Sequence, residues 1–125
     1  MKFTADYQAQ KISESITING DIDKKIWRNA IWSKRFVDME TGEAGLYNTQ
    51  TAILWSDSHL YIAFRAEEPF IEAHLTERDS IIFLENDLEV LINGDDCYYE
   101  LEVNALNTVY EVFLFGKMPI KKWKV

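Results

Sequence analysis

From residue 49 onward apolar and polar positions alternate with a period of two, the pattern of strands that turn one face to a core. Residues 49–55 and 60–67 flank Ser56-Asp57-Ser58-His59, and a two-residue turn at Asp57-Ser58 pairs Trp55 with Leu60 and Ile53 with Ile62. One face of this hairpin carries Thr51, Ile53, Trp55, Leu60, Ile62 and Phe64 and is expected to be core. The other carries Gln50, Ala52, Leu54, Tyr61, Ala63 and Arg65, a mixed set suited to a second layer or to partial exposure.

A second meander runs through residues 87–93, a turn at Gly94-Asp95-Asp96-Cys97, residues 98–104, a turn at Ala105-Leu106, and residues 107–115. Leu88, Val90, Ile92, Tyr99, Leu101 and Val103 fall on a dry face; Asp87, Glu89, Asn93, Tyr98, Glu100, Glu102 and Asn104 fall on an acidic, hydrogen-bonding one. Earlier, residues 15–18 read as a strand and Asn19-Gly20-Asp21 as a tight turn. Asp23 is placed to cap a short helix over residues 24–30, with Ile26, Trp27 and Ala30 inward. Residues 39–48 read as a polar loop, Glu68-Pro69 ends a strand, and residues 72–79 read as loop or a helical turn. Roughly seven short strands with turns between them predict one all-β domain over residues 1–125. Its expected architecture is an antiparallel β-sandwich, jelly-roll-like or immunoglobulin-like, with one short N-terminal helix.

Composition narrows the functions. A 125-residue chain that is 47% hydrophobic can build a core without a disulfide or a metal. The net charge of −8 argues against a nucleic-acid partner, since the only basic cluster is Lys121, Lys122 and Lys124 at the tail. A single cysteine, Cys97, precludes an intramolecular disulfide. The N-terminus lacks the apolar stretch of a signal peptide, and no apolar run approaches the roughly 20 residues of a membrane span. No export signal and no membrane partner are expected.

Nucleophilic catalysis finds no Gly-x-Ser-x-Gly elbow, and Cys97 with two histidines offers little to activate a nucleophile. His59 in a turn and His74 in a loop have no metal-ligand spacing, and the glycines are too scattered to cradle phosphate. The carboxylates carry more. A turn symmetric about Asp95-Asp96 puts Glu89 opposite Glu102 and Asp87 opposite Asn104. Opposed Cβ atoms lie about 5 Å apart, so like charges there are unfavourable unless a cation, a donor ligand or a shared proton relieves them. Three readings stay open: a solvated acidic face, a ligand or cation site, and a retaining glycosidase pair, whose carboxyl groups stand about 5–5.5 Å apart. The last also needs one raised carboxyl pKa, and a flat acidic face offers no obvious asymmetry. Carboxylates and amides beside exposed rings suit sugar, whose hydroxyls need polar partners while its C–H face packs on an aromatic plane. Trp32, Phe83, Tyr98 and Trp123 are the candidate planes; Trp27 and Trp55 fit the core.

Ile18-Asn19-Gly20-Asp21-Ile22-Asp23 with Trp27 and Ala30 resembles the opening signature of family 9 carbohydrate-binding modules. The stretch from Thr51 to Asp57 with that from Leu60 to Phe64 is similar to the family's next hairpin. Asn86-Asp87-Leu88-Glu89-Val90-Leu91-Ile92 followed by Tyr98-Tyr99-Glu100-Leu101-Glu102-Val103-Asn104 looks like its most characteristic block. The resemblance implies a β-sandwich that binds the reducing ends of glucan- or xylan-type oligo- or polysaccharides between two tryptophans. It implies an accessory module of polysaccharide catabolism rather than an enzyme, with no cofactor required, structural calcium in many members, and an extracellular or periplasmic setting. By position, Glu89 matches a glutamate that accepts sugar hydroxyls and Asn104 an asparagine beside the sugar. Phe83 stands where the first sandwiching tryptophan is found, and Glu102 where a sugar-contacting arginine is found. The match stops near Phe115, short of the family's second tryptophan, and Trp123 is the one residue that could substitute. A sandwich lacking its last strands is expected to expose sheet edges and to invite a homodimer. Two alternatives stand beside sugar binding: a structural or self-associating domain without sugar affinity, and a glycoside hydrolase using Glu89 and Glu102.

Overall fold

The alternating segments form the expected hairpins, with the expected register. A computed structural model describes residues 6–116 and divides the chain into two units, residues 1–68 and 69–125. Strands β1 (Gln10–Lys11), β2 (Thr49–Trp55) and β3 (Leu60–Ala66) make one three-stranded sheet, in that order. Strands β4 (Asp87–Asn93), β5 (Cys97–Asn104) and β6 (Val109–Phe115) make another. Among the described residues the chain is all-β apart from a single helical turn, α1 (Lys25–Arg28), and a 3-10 turn at Ile82–Leu84. Among the described residues no helix is long and apolar enough to cross a membrane.

In the first unit, β2 and β3 pair Trp55 with Leu60 and Ile53 with Ile62, as the turn requires. The side chains face the other way from the expectation. Ala52, Leu54, Tyr61 and Ala63 are buried, whereas Trp55 is 39% and Leu60 54% exposed. The reason is what covers each face. Ala52 opposes Ala63, and these small side chains let the N-terminal segment lie close, so Ile16 and Trp27 complete the buried cluster with Ile12, Ile22, Ile26, Ala30 and Trp32 around it. Trp55 rests under the Lys11 ammonium, 5.0 Å from its ring centre, rather than in the core. Trp32 stacks beneath the Arg65 guanidinium at 4.6 Å, and its Nε1 donates to the Trp27 carbonyl at 3.0 Å.

Residues 15–18 form no strand. The outer edge of β2 is taken instead by β1, parallel at Leu54 and Trp55, and by an antiparallel bridge from Trp32 to Ala52. Between the two, the Ile53 amide donates to the Tyr7 hydroxyl at 3.0 Å, so the edge's donors are satisfied. Ile16 alone of its stretch is buried, its amide pointing to the Tyr61 hydroxyl. The Asn19-Gly20-Asp21 turn forms as read: Gly20 takes φ +80°, a region costly to any side chain, and the Asp21 amide donates to Asn19 Oδ1. The helix is shorter than expected. Lys24, not Asp23, holds the N-cap position and makes no side-chain cap, while the Asp23 amide donates to Asp21 Oδ1. Without a cap and with only one turn, α1 is held by Trp27, 4% exposed, in the core.

In the second unit, β4 and β5 pair Glu89 with Glu102 and Asp87 with Asn104. The turn closes through the Gly94 amide to the Cys97 carbonyl at 2.8 Å, and a Cβ on Gly94 would sit 2.7 Å from the Cys97 sulfur. Strand β6 begins two residues later than expected, because Asn107 adopts φ +63° and the turn runs on to Thr108. Burial again departs from the hydropathy pattern. Glu102, Asn104 and Thr108 of the polar face are buried along with Ile82, while Ile92 and Phe113 on the dry face are exposed.

Candidate functional site

The candidate residues gather on the polar face of the second sheet, where strand alternation and the symmetric turn put them. Asp87 and Glu89 alternate along β4, Glu102 lies opposite Glu89 on β5, and Tyr110 of β6 lies opposite Glu102. Phe83, 47% exposed, meets the Tyr110 ring edge-on with centroids 5.7 Å apart. One row across three strands therefore reads Glu89, Glu102, Tyr110, with Phe83 against its end. Tyr110 was not legible from the hairpin alone; its signal was the register of the third strand.

Asp87, Glu89 and Glu102 each bring a carboxylate oxygen within 4.8 Å of the others. Glu102 is only 2% exposed, and its Oε2, like Asp87 Oδ2, is buried without a hydrogen-bond partner. Desolvation, reinforced by the Glu89 charge, pushes the Glu102 carboxyl up to about 8. Desolvation also raises Asp87, and desolvation with the Asp87 charge raises Glu89. The same surroundings, desolvation first and then Glu100, push the Tyr98 hydroxyl up to about 12. The two opposed glutamates are thus not equivalent: Glu102 is buried and Glu89 is exposed. That corrects the expectation of a flat face without asymmetry. Three oxygen donors of this kind suit a hard divalent cation and not a thiophilic one.

Asn104, 6% exposed, is engaged within the fold. Its Oδ1 accepts from the Leu106 and Thr108 amides at 3.0 and 2.9 Å, and its Nδ2 donates to the Leu75 carbonyl at 2.9 Å. The Thr108 hydroxyl donates to the same carbonyl at 2.7 Å. Glu85 takes the His74 and Leu75 amides, and Asn86 takes the Glu72 amide, so residues 72–75 are laced to the start of β4 and the β5–β6 turn. Further along, Arg78 is committed to Glu111, which also accepts from the Tyr99 hydroxyl at 2.6 Å. Asn104→Ala is expected to cost about 1–2 kcal/mol in urea denaturation, because it leaves buried amides unpaired. A loss below about 0.5 kcal/mol would show that the clasp is redundant.

Of the other candidate planes, Trp32 is occupied by Arg65 and the core, Tyr98 is half-buried, and Trp123 lies outside the described residues. Asp87 was legible on the acidic face; what pattern alone did not show was the burial that brings its carboxyl to Glu102. No family model, curated protein or solved structure matches the chain.

Proposed function

We propose that this protein is a non-catalytic carbohydrate-binding module whose site is the row Glu89, Glu102, Tyr110 and Phe83. The observation that carries the reading is the juxtaposition of carboxylate acceptors with an exposed phenyl ring braced by a tyrosine on one sheet face. Glu89, exposed on the sheet face, accepts sugar hydroxyls; Phe83 offers its ring to the C–H face; Asn104 acts indirectly, by holding the Leu75 backbone to the sheet. The all-β chain is read as a β-sandwich because its short alternating strands separated by turns suit that architecture. Catalysis is not favoured: Glu102 has the raised pKa of an acid, but its burial keeps it from a glycosidic oxygen, so within the row it lies behind Glu89 and the sugar meets Glu89 and Phe83.

Calorimetric titration with cello- and xylo-oligosaccharides tests the reading. The native protein should give a saturable heat, and Glu89→Ala, at an exposed position, should abolish it while leaving the circular dichroism unchanged. Equal affinity in that variant would overturn the site. A self-associating domain is the second reading, favoured by the exposed Ile92, Phe113 and Phe115 and by β6 at the sheet edge. Sedimentation showing a dimer that takes up no sugar would establish it instead.

A further inference from the structure

We infer that Asn19 is a self-modification site, where the Gly20 amide nitrogen attacks the Asn19 side-chain amide and turns the residue into aspartate or isoaspartate. The inference goes beyond sugar binding and does not depend on it. The chain carries the same four residues twice, Ile18-Asn19-Gly20-Asp21 and Ile92-Asn93-Gly94-Asp95, with the asparagine and glycine exposed in both. Glycine after asparagine favours the reaction because no Cβ crowds the attacking nitrogen and the backbone turns freely. Identical sequence makes the two sites chemical equals, so a difference in rate comes from the fold around them.

At Asn19 the fold leaves the reaction open. Asn19 and Gly20 belong to no strand or helix, Gly20 takes φ +80°, and nothing lies within 4 Å of where its Cβ would stand. Among the described residues no hydrogen bond engages the Gly20 amide. Asn19 Oδ1 accepts from the Asp21 amide at 3.1 Å, which folds the side chain over the Gly20 peptide and draws electron density from its carbonyl carbon. At Asn93 the fold closes it. Asn93 ends β4 opposite Tyr98, and the Gly94 amide donates to the Cys97 carbonyl at 2.8 Å, so the attacking nitrogen is held in the hairpin until that end of the ladder opens.

The step balances with water as the sole co-reactant. Base removes the Gly20 amide proton, the nitrogen bonds to Asn19 Cγ, and the Cγ–Nδ2 bond breaks as Nδ2 takes a proton and leaves as ammonia. Water then opens the cyclic imide. Cleavage between the Gly20 nitrogen and Cγ gives aspartate, and cleavage between that nitrogen and the Asn19 backbone carbonyl carbon gives isoaspartate. Either product adds a negative charge beside Asp21 and Asp23, and isoaspartate also adds a methylene to the main chain just ahead of the uncapped α1.

The intact protein, incubated in mildly alkaline buffer and then cleaved for mass spectrometry, reports conversion at each asparagine as the mass gained when an amide NH2 becomes OH. Asn19 should convert at least about tenfold faster than Asn93, the ratio given by a barrier about 1.4 kcal/mol lower. In concentrated urea, where the hairpin no longer holds the Gly94 amide, the two rates should converge. Asn19→Gln, whose longer side chain needs a larger ring, should abolish the change at that position and leave the rate at Asn93 as it was. An unconverted Asn19, equal rates in the folded protein, a faster Asn93, or a gap that survives unfolding would overturn the inference.

Discussion

Trp27→Ala should destabilise the chain by about 3–5 kcal/mol, the largest effect of any single truncation proposed here. Trp27 is 4% exposed, packs with Ile16, Leu54, Tyr61 and the alanine pair, and is the anchor of a one-turn helix that has no side-chain cap. Its removal leaves a cavity and frees α1 from the sheet, and its backbone carbonyl loses the fixed position that receives Trp32 Nε1. Trp55→Ala should cost about 1 kcal/mol, because that ring is 39% exposed and its Nε1 makes only a long 3.3 Å bond to the Ala9 carbonyl. Denaturant unfolding followed by near-ultraviolet circular dichroism separates the two. Equal losses would mean that the core lies on the other face of the β2–β3 hairpin.

Glu102 should make the cation-free protein less stable as pH rises. Its folded pKa of about 8 exceeds its ordinary 4.5, so the native state holds a proton that the unfolded chain releases. Stability from this group is complete below about pH 4.5 and is lost as pH climbs to 8. Asp87 and Glu89, also raised, act with the same sign. Glu102→Gln removes the titration while keeping the shape. It should therefore be the more stable protein at pH 8 in chelator, by an amount on the order of 2 kcal/mol once solvent screening at the site's open side is allowed for. The two proteins should converge near pH 5. Parallel stability profiles for the two would show that the carboxyl titrates as it does in water.

Strand positions and register were legible because turn chemistry and alternation act locally. Ser56-Asp57-Ser58-His59 and Gly94-Asp95-Asp96 leave little choice of pairing, and Glu89 opposite Glu102 followed from the turn alone. Which face is buried was not local. Alternation ranks faces by hydrophobicity, yet Ala52 and Ala63 are buried because they are small enough to admit Trp27 and Ile16, which reach them from segments distant in sequence. Residues 15–18 alternate like a strand but supply one buried side chain, Ile16, while the less apolar Gln10 and Lys11 take the sheet edge. In the site, residue types and faces could be read from sequence. The burial of Glu102, the engagement of Asn104 with Leu75 and the arrival of Tyr110 depend on loops and a third strand that no short-range pattern encodes.

The central claim is that the Glu89, Glu102, Tyr110 and Phe83 row holds a sugar, and amide-resolved nuclear magnetic resonance during a titration tests it most directly. With cello- or xylo-oligosaccharides the account predicts saturable shifts at residues 83, 89, 102 and 110, lost when borohydride has reduced the sugar's end. An unchanged spectrum, or shifts confined to residues 6–68, would contradict it.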